Sequence, residues 1–390
     1  MTYAKKVKTM PSIAVLHANF EILGGGEYLC CILASMLKQR GFDIRIYTAT
    51  PVDKEKIRQL FGISLDNIDI IIHKNELERK LYSRFHGRLV RLRRLMIYKK
   101  FFREFYEELR NRYDVTIDTQ SNIATPVDIA YIHYPAILDY KFPLNGSSRL
   151  MRLYDWIVKH YYKKYFSRPQ SSYILTNSTW TAHKVYEAYR VIPHIVYPPV
   201  SLNGLETVYS KENIVVTVSR FTAEKGLEKI PLVARSLPEY DFFIVGSTSP
   251  FSEPVIDRIY EVVRKNDVDN VFIYTDLPRE SLVELLSRAK YYLHPSFPEH
   301  FGISVVEAMR MKCIPIVYRD GGAWHDIVSH IDTRLGYSSV NEVREIVKWA
   351  EKHRMTLSWR AYDVSKLFTP RRFEQEIMKH IEYVLRVKSL

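Results

Sequence analysis

The chain has few cysteines and no long apolar run. Cys30, Cys31 and Cys313 are its only cysteines, too few for a disulfide framework. All three lie in apolar stretches, so we expect buried free thiols. No stretch is apolar enough over sufficient length to span a bilayer, and residues 1–8 lack a signal-peptide core. These absences predict a cytoplasmic protein.

Acidic residues are outnumbered by basic ones. The chain has 57 Lys and Arg against 44 Asp and Glu, a net charge of +13. This excess favours an anionic partner, which could be nucleic acid, an acidic membrane or a phosphorylated substrate. No nucleic-acid-binding motif is present, however. We therefore expect no nucleic-acid partner, although a non-catalytic basic nucleic-acid-binding protein stays the alternative that the charge alone allows.

The charge is concentrated in two segments with interleaved apolar residues. Residues 79–103 contain ten Lys or Arg and no acid. The arginines beside an apolar stripe with helical spacing are Arg84, Arg88, Arg91 and Arg94. Such a basic amphipathic segment suits an anionic membrane surface, and we expect peripheral membrane contact here. A second segment, 149–168, offers the same contact or, equally, a helix face with solvated cations.

Strand-like and helix-like runs alternate along the chain. Strands are expected at 12–18, 43–49, 67–73, 113–119, 128–134 and 171–177, then at 214–219, 240–246, 270–275, 291–295 and 314–319. Such alternation predicts α/β architecture with parallel sheets covered on both faces. A proline-rich and polar junction near 198–209 separates two blocks. We therefore expect two Rossmann-like domains, residues 1–205 and 206–369, followed by a helix at about 370–390.

Two glutamates flank the start of a helix-like run. Glu299 lies in the loop after the strand at 291–295, and Glu307 lies within the helix that follows. The unpaired amides of a helix's first turn favour a phosphate group. One acid could therefore bind sugar hydroxyls and the other a ribose. A capping acid and a solvated acid would be the plain structural alternative.

Two cationic residues lie in the loop that follows an earlier strand. Arg220 and Lys225 follow the strand at 214–219, and Gly226 precedes the next helix-like run. Cations on a loop at the carboxyl end of a parallel strand suit a bound diphosphate. Neither cation alone would be informative, but the pair followed by the two glutamates is specific.

The first half of the chain holds weaker signals. Gly24, Gly25 and Gly26 follow the first strand and permit close backbone approach, although they lack the full dinucleotide fingerprint. Glu27 could contact an acceptor or only cap the helix. His133 lies where the strand at 128–132 ends, and for an isolated histidine a packing role is the commoner one.

Together these motifs resemble the retaining glycosyltransferases of family 4. The resemblance covers about residues 12 to 330. The family has a glycine-rich turn, an Arg–Lys loop similar to residues 219–226, and two acids separated by seven residues. Segments 131–135, 177–181, 197–199 and 299–302 are closest to the branch of dolichyl-oligosaccharide α-1,2-mannosyltransferases. One departure is segment 310–315, where family members usually have glycine.

The resemblance implies a GT-B fold and a donor site. In that fold two Rossmann-like domains face each other across a cleft, and the terminal helices cross back to the first domain. The implied donor-binding residues are Gly25, Gly26, Arg220, Lys225, Phe301, Gly302, Ile303 and Glu307. His133, Arg220, Lys225 and Glu299 are the implied catalytic set: His133 lies near the anomeric carbon, and Glu299 binds the sugar hydroxyls. Asn177 and Ser178 are expected to line the cleft from the first domain.

The resemblance also implies the reaction. We expect a hexose, plausibly mannose from GDP-mannose, to be transferred to a lipid-linked or other glycan at the cytoplasmic membrane face. A UDP-sugar donor with a different acceptor is the alternative. We expect no metal and no cofactor, because Arg220 and Lys225 carry the charge that neutralises the leaving diphosphate. Asp267 and Asp269 resemble metal-binding acids of the other large glycosyltransferase fold, but their position predicts a turn.

Overall fold

The structure is a computed structural model that describes residues 10–389 except 22, 73–107, 110, 124, 140–148, 167–172, 202–209, 249–251 and 296–297. The whole of the first basic segment, including Arg84, Arg88, Arg91 and Arg94, lies outside the described residues. The predicted domain junction at 205–206 does so too. No helix among the described residues combines the length and the apolar character that crossing a membrane requires.

The chain forms two compact units. The first comprises Met1–Thr176, Ala182–Val196 and Glu374–Leu390, and the second comprises Asn177–Thr181 and Tyr197–Phe373. The predicted division into an acceptor domain and a donor domain stays a prediction. Segment 177–181, which we expected in the first domain, belongs to the second unit.

The first unit contains a seven-stranded parallel sheet. Its strands are β1 Ser12–Leu16, β2 Asp43–Thr48, β3 Asp69–Ile72, β4 Val115–Asp118, β5 Ile129–Ile132, β6 Tyr173–Thr176 and β7 His194–Ile195. Their order is β3-β2-β1-β4-β5-β6-β7. Every residue of β4 and β5 is buried, as expected for central parallel strands with both faces covered.

The second unit contains a six-stranded parallel sheet. Its strands are β8 Glu212–Val218, β9 Asp241–Gly246, β10 Val271–Thr275, β11 Ala289–His294, β12 Ile314–Tyr318 and β13 Gly336–Tyr337. Their order is β10-β9-β8-β11-β12-β13. The core of the unit includes Val215 and Val216 of β8 together with Tyr291 and Leu293 of β11.

Helices connect the strands. They are α1 Gly25–Gln39, α2 Lys54–Phe61, α3 Ala136–Asp139, α4 Arg149–Phe166, α5 Thr179–Tyr189, α6 Ile230–Ala234, α7 Glu253–Lys265, α8 Arg279–Arg288, α9 Ile303–Arg310, α10 Val343–Lys352, α11 Arg354–Ser365 and α12 Pro370–Lys388. From Glu374 onward α12 belongs to the first unit, where Arg40 binds Glu374 at 2.5 Å and Lys388 binds Asp128 at 3.1 Å. The return of the last helix to the first unit is thereby confirmed.

The predicted alternation of strands and helices is confirmed, as is the burial of the three free cysteines. The strands β7 and β13 were not predicted. Each has two residues, which is too short for periodicity to reveal.

Sheet order identifies where a ligand would bind. In the first sheet the order reverses between β1 and β4, and in the second between β8 and β11. Ligands of open α/β sheets bind outside the carboxyl ends of strands at such switch points. The loop with Arg220 and Lys225 leaves β8, and the loop with Glu299 leaves β11. Each unit is therefore Rossmann-like. In the first unit the glycines at 24–26 follow β1 at the switch point, whereas His133 follows β5, the neighbour of β4.

Candidate active site

Lys225 and Glu299 form an ion pair at the switch point of the second sheet. Lys225 lies in a single 3₁₀ turn, Ala223–Lys225, and its Nζ is 2.8 Å from Oε2 of Glu299. Both side chains are mostly buried, at 19% and 17% exposed. Gly226, with φ of +59°, ends the turn in the left-handed region that glycine favours. The two predicted residues are thus brought together from positions far apart in the chain.

A histidine at the end of β11 supports the same carboxylate. Nε2 of His294 is 2.9 Å from Oε2 of Glu299, and the His294 side chain is 3% exposed. Burial alone would raise the pKa of Glu299, but the charge of Lys225 and the His294 hydrogen bond hold it well below its ordinary value. Glu299 is therefore a carboxylate near neutral pH. His294 was not among the residues predicted from the sequence, although its position at the end of a strand before Pro295 was an available signal.

Glu307 makes a separate ion pair. It lies in α9, and its Oε1 is 2.7 Å from Nη2 of Arg279 at the start of α8. Arg279 was not among the residues predicted from the sequence, because nothing near it in the chain marks it as a partner of α9. The structure therefore holds the two predicted acids by different cations, Glu299 by Lys225 and Glu307 by Arg279.

The start of α9 lies between the two acids. Gly302 caps the helix with φ of +97°, and Ile303 is the first helical residue. First-turn amides lack helical partners and can bind an anion. Phe301 is 3% exposed and packs against the rings of Tyr197 and Phe368. Any contact of Phe301 with a donor would have to come from its backbone, and its donor role stays a prediction.

The Glu299 loop is fixed by a pair of glycines. Glu299 pairs with Gly321 in a β-bridge, and the amide of Gly322 donates to the carbonyl of Glu299 at 2.7 Å. Gly321 has φ of +91°, and a Cβ there would lie 2.3 Å from the Glu299 carbonyl oxygen. The backbone of the Glu299 loop and that of the glycine pair can approach this closely only because Gly321 and Gly322 carry no side chain.

Segment 177–181 is tied to this loop, which explains its place in the second unit. Ser178 Oγ donates to the carbonyl of His300 at 2.7 Å, and the ring of Trp180 stacks on His300. The indole of Trp180 also donates to Asp320 at 2.9 Å. Buried Asp326 accepts from the amide of Thr179 at 2.8 Å. These bonds hold both loops of the site.

Arg220 is the least constrained of the predicted cations. Its side chain is 46% exposed and lies 3.9 Å from Glu224. A contact of that length between exposed groups contributes little. The structure therefore places Arg220 on the same loop as Lys225. None of the described contacts links Arg220 to Glu299 or Glu307.

The glycine turn and His133 meet in the first unit. A Cβ on Gly26 would lie 3.6 Å from Nε2 of His133. Nε2 of His133 is 3.0 Å from the carbonyl of Thr119, and a carbonyl only accepts, so Nε2 carries the proton. Burial lowers the pKa of His133 to about 4, so the ring is neutral at physiological pH. The amide of His133 donates to Asn122 at 2.7 Å and fixes the end of β5.

Glu27 is bound within the turn. Its Oε2 accepts from the amide of Gly24 at 2.9 Å, and its Oε1 lies 3.1 Å from Gln120 and 3.3 Å from His17. Burial would raise the pKa of Glu27, but the hydrogen bond and charge of His17 lower it. Of the two alternatives for Glu27, helix capping is what these contacts describe, and a role toward an acceptor stays a prediction.

The depressed pKa of His133 predicts a pH dependence of stability. The unfolded histidine titrates near its ordinary pKa of about 6.5, whereas the folded one titrates near 4. Neutral His133 makes its full contribution to the free energy of unfolding above about pH 6.5, and this contribution decreases as the pH falls toward 4. In urea unfolding, the wild-type protein should therefore lose up to about 3 kcal/mol of unfolding free energy as the pH falls across this range. We expect His133→Asn to remove this pH-dependent loss.

The exposed His183 provides a matched control for this measurement. His183→Asn should keep the wild-type slope of stability against pH between 6.5 and 4. Burial alone would lower the pKa of His17, but its contacts with Cys30 and Glu27 raise it. Titration of His17 therefore changes the free energy of unfolding only above that pH range. An unchanged slope in His133→Asn would contradict the buried neutral state of this ring.

Comparison with known proteins agrees with the geometry. Residues 206–352 match the model of the family described as glycosyl transferases group 1. The chain is 26% identical over 441 residues to the GDP-Man:Man(3)GlcNAc(2)-PP-Dol alpha-1,2-mannosyltransferase of Dictyostelium discoideum, covering 97% of this chain and 86% of that protein. It is 23% identical to an alpha-1,3/1,6-mannosyltransferase of Mus musculus, covering 82% and 83%.

A solved structure shows the same fold. The sucrose-phosphate synthase from Thermosynechococcus elongatus superposes with a TM-score of 0.69 at 14% identity, covering 97% of this chain and 100% of the other. At that identity the likeness concerns the fold alone. Residues 206–352 thus form a glycosyl transferases group 1 domain, and the chain is a hexosyl-transferring glycosyltransferase with the GT-B fold.

Proposed function

We propose that the chain transfers mannose from GDP-mannose to a lipid-linked glycan with retention of the anomeric configuration. The observation that carries the proposal is the Lys225–Glu299 pair at the switch point beside the start of α9. The names of relatives that align over most of the chain support the choice of mannose and of a lipid-linked acceptor. We assign donor binding to the second unit and acceptor binding to the first.

The proposed reaction exchanges one bond at the anomeric carbon. The bond from C1 to the diphosphate oxygen breaks, and an acceptor hydroxyl oxygen bonds to C1 on the same face. The departing phosphate oxygen takes the acceptor's proton. Lys225, Arg220 and the first amides of α9 stabilise the negative charge that develops on the diphosphate. His133 is neutral, so we assign it to orienting the sugar.

In the contacts that the structure describes, each glutamate binds its cation through one oxygen, and we assign the other oxygen to the donor. Lys225 and His294 both bind Oε2 of Glu299, so we assign its Oε1 to the sugar hydroxyls. Arg279 binds Oε1 of Glu307, so we assign its Oε2 to the ribose. In this proposal the cations orient the acids, and the acids accept hydrogen bonds from the donor.

The proposed chemistry predicts activity without a metal. Among the described residues, no group of three or more His, Cys, Asp or Glu is arranged to hold a metal ion. Because Lys225 and Arg220 would neutralise the diphosphate, we expect the transfer rate in EDTA to equal the untreated rate. Loss of activity on chelation, restored by Mn²⁺ or Mg²⁺, would contradict this and direct attention to Asp267 and Asp269.

The donor is tested by ligand-induced stabilisation. Thermal unfolding would be followed with GDP-, UDP- and ADP-sugars, because a ligand that binds only the folded state stabilises it by about 2.7 kcal/mol at 100 times its Kd. We expect GDP-mannose to raise the Tm most, and transfer of labelled mannose to a lipid-linked glycan to follow. Stabilisation by a UDP-sugar instead would favour the alternative donor. Salt-sensitive DNA binding without any sugar-nucleotide effect would favour a nucleic-acid-binding protein.

The proposed location is the cytoplasmic face of a membrane, with the enzyme bound peripherally. A lipid-linked acceptor requires such proximity. The contribution of Arg84, Arg88, Arg91 and Arg94 to membrane contact stays a prediction, since these residues lie outside the described ones. Their charge reversal should weaken binding to anionic liposomes and leave nucleotide binding unchanged.

A further inference from the structure

The outward face of α4 carries a cluster of exposed apolar side chains. Leu153 is 54% exposed, Trp156 62% and Ile157 37%. Their spacing of three and four residues places them beside each other on one face of the helix. The Trp156 ring also stacks on His160, with centroids 5.4 Å apart. Exposing a tryptophan and two aliphatic side chains side by side is costly in water unless the surface has a partner.

The charges around this patch have one sign. The exposed charged side chains of α4 are Arg149, Arg152, Lys159, Lys163 and Lys164. Its single acid, Asp155, is buried at 8% exposed and lies away from the patch. The outward face therefore combines apolar groups with cations and presents no exposed carboxylate of its own.

The orientation of α4 is fixed by its inner face. Val158 and Tyr162 belong to the core of the first unit, at 1% and 2% exposed. The hydroxyl of Tyr162 lies 2.8 Å from that of Tyr189. The helix therefore already has its own buried side, and the Trp156 patch is not a core face left uncovered by a rotated helix.

We propose that this face of α4 docks on an anionic lipid bilayer. The inference rests on the proposed function and deepens it by naming the surface that brings the enzyme to its lipid-linked acceptor. A bilayer interface accommodates both features, because lipid phosphates bind the cations while Trp156 and its neighbours enter the acyl boundary. A second copy would oppose cation to cation, and a nucleic acid would leave Leu153 and Ile157 without apolar partners.

The experiment measures cosedimentation of the full chain with vesicles. Phosphatidylcholine vesicles with about 30% phosphatidylserine would be compared with phosphatidylcholine alone, at low salt and at about 0.5 M salt, where charge is screened within roughly 4 Å. We expect binding to the anionic vesicles at low salt. The double variant Lys163→Ala, Lys164→Ala should bind about 30-fold more weakly, roughly fivefold for each cation removed. Leu153→Glu with Trp156→Glu should abolish binding.

A tryptophan elsewhere on the surface provides the control. Trp359 of α11 is 48% exposed, and Trp359→Ala should bind vesicles as the wild type does. Transfer to an acceptor in detergent micelles should remain at the wild-type rate in every α4 variant, because these residues lie outside the proposed active site.

The outcomes separate this inference from the proposed function. Unchanged vesicle binding in both α4 variants, or equal loss in Trp359→Ala, would overturn docking by α4 while leaving mannose transfer in micelles unaffected. Wild-type protein that binds vesicles but shows no GDP-mannose-dependent transfer would instead refute the proposed function. Loss of micellar transfer in an α4 variant with an unchanged Tm would also contradict a purely membrane-directed role for the face.

Discussion

Lys225→Ala should reduce kcat for sugar transfer by about 10²- to 10³-fold, the loss expected when one charge directed at a transition-state anion is removed. The side chain is mostly buried beside Glu299, so the substitution also leaves that carboxylate with only the His294 contact described here. The measurement is the initial rate at saturating donor, with the Tm recorded to confirm that the variant is folded.

Lys229 supplies a matched control for this experiment. It lies in the next 3₁₀ turn, Leu227–Lys229, and its side chain is exposed. Lys229→Ala should keep kcat within a few-fold of wild type. If Lys225→Ala retained activity at that same level, Lys225 would not contact the leaving diphosphate, and its pairing with Glu299 would have only a structural meaning.

Gly322→Ala should disrupt the Glu299 loop and abolish transfer. A Cβ at this position would lie 1.9 Å from the carbonyl oxygen of His300 and 2.8 Å from Cβ of Ser178. Both obstacles are close to the backbone and cannot move aside as a flexible side chain would. We expect a destabilisation of about 3 kcal/mol in urea unfolding, the upper end of the usual cost of a methyl group forced into a filled space, because backbone atoms block this one.

Gly24→Ala is the corresponding control for stability. Gly24 has extended backbone geometry, and an added Cβ would be 3.4 Å from a carboxylate oxygen of Glu27, an ordinary contact. Its effect on the urea midpoint should be small. A Gly322→Ala protein with wild-type stability and activity would show that the loops around Glu299 and Gly322 do not pack as described.

Local patterns in the sequence were sufficient to predict the parallel sheets and the loops that contain the candidate site residues. Buried parallel strands appear as uninterrupted apolar runs, and the glycines and charged residues that follow them mark the loops. Arg220, Lys225, Glu299 and Glu307 could therefore be assigned to the ends of β8 and β11 and to α9. The basic and aromatic composition of 149–168 was also evident.

Only the tertiary structure decided which of these side chains meet. The order of strands in a sheet does not follow the order of the chain, so the loop after β8 lies beside the loop after β11, and Lys225 reaches Glu299. The same packing brings His294 to Glu299 and Arg279 to Glu307. The sequence of α4 likewise showed only that the helix is basic and aromatic. The burial of Val158 and Tyr162 determined that Trp156 faces outward, because a helix can bury only the face that packs on the core.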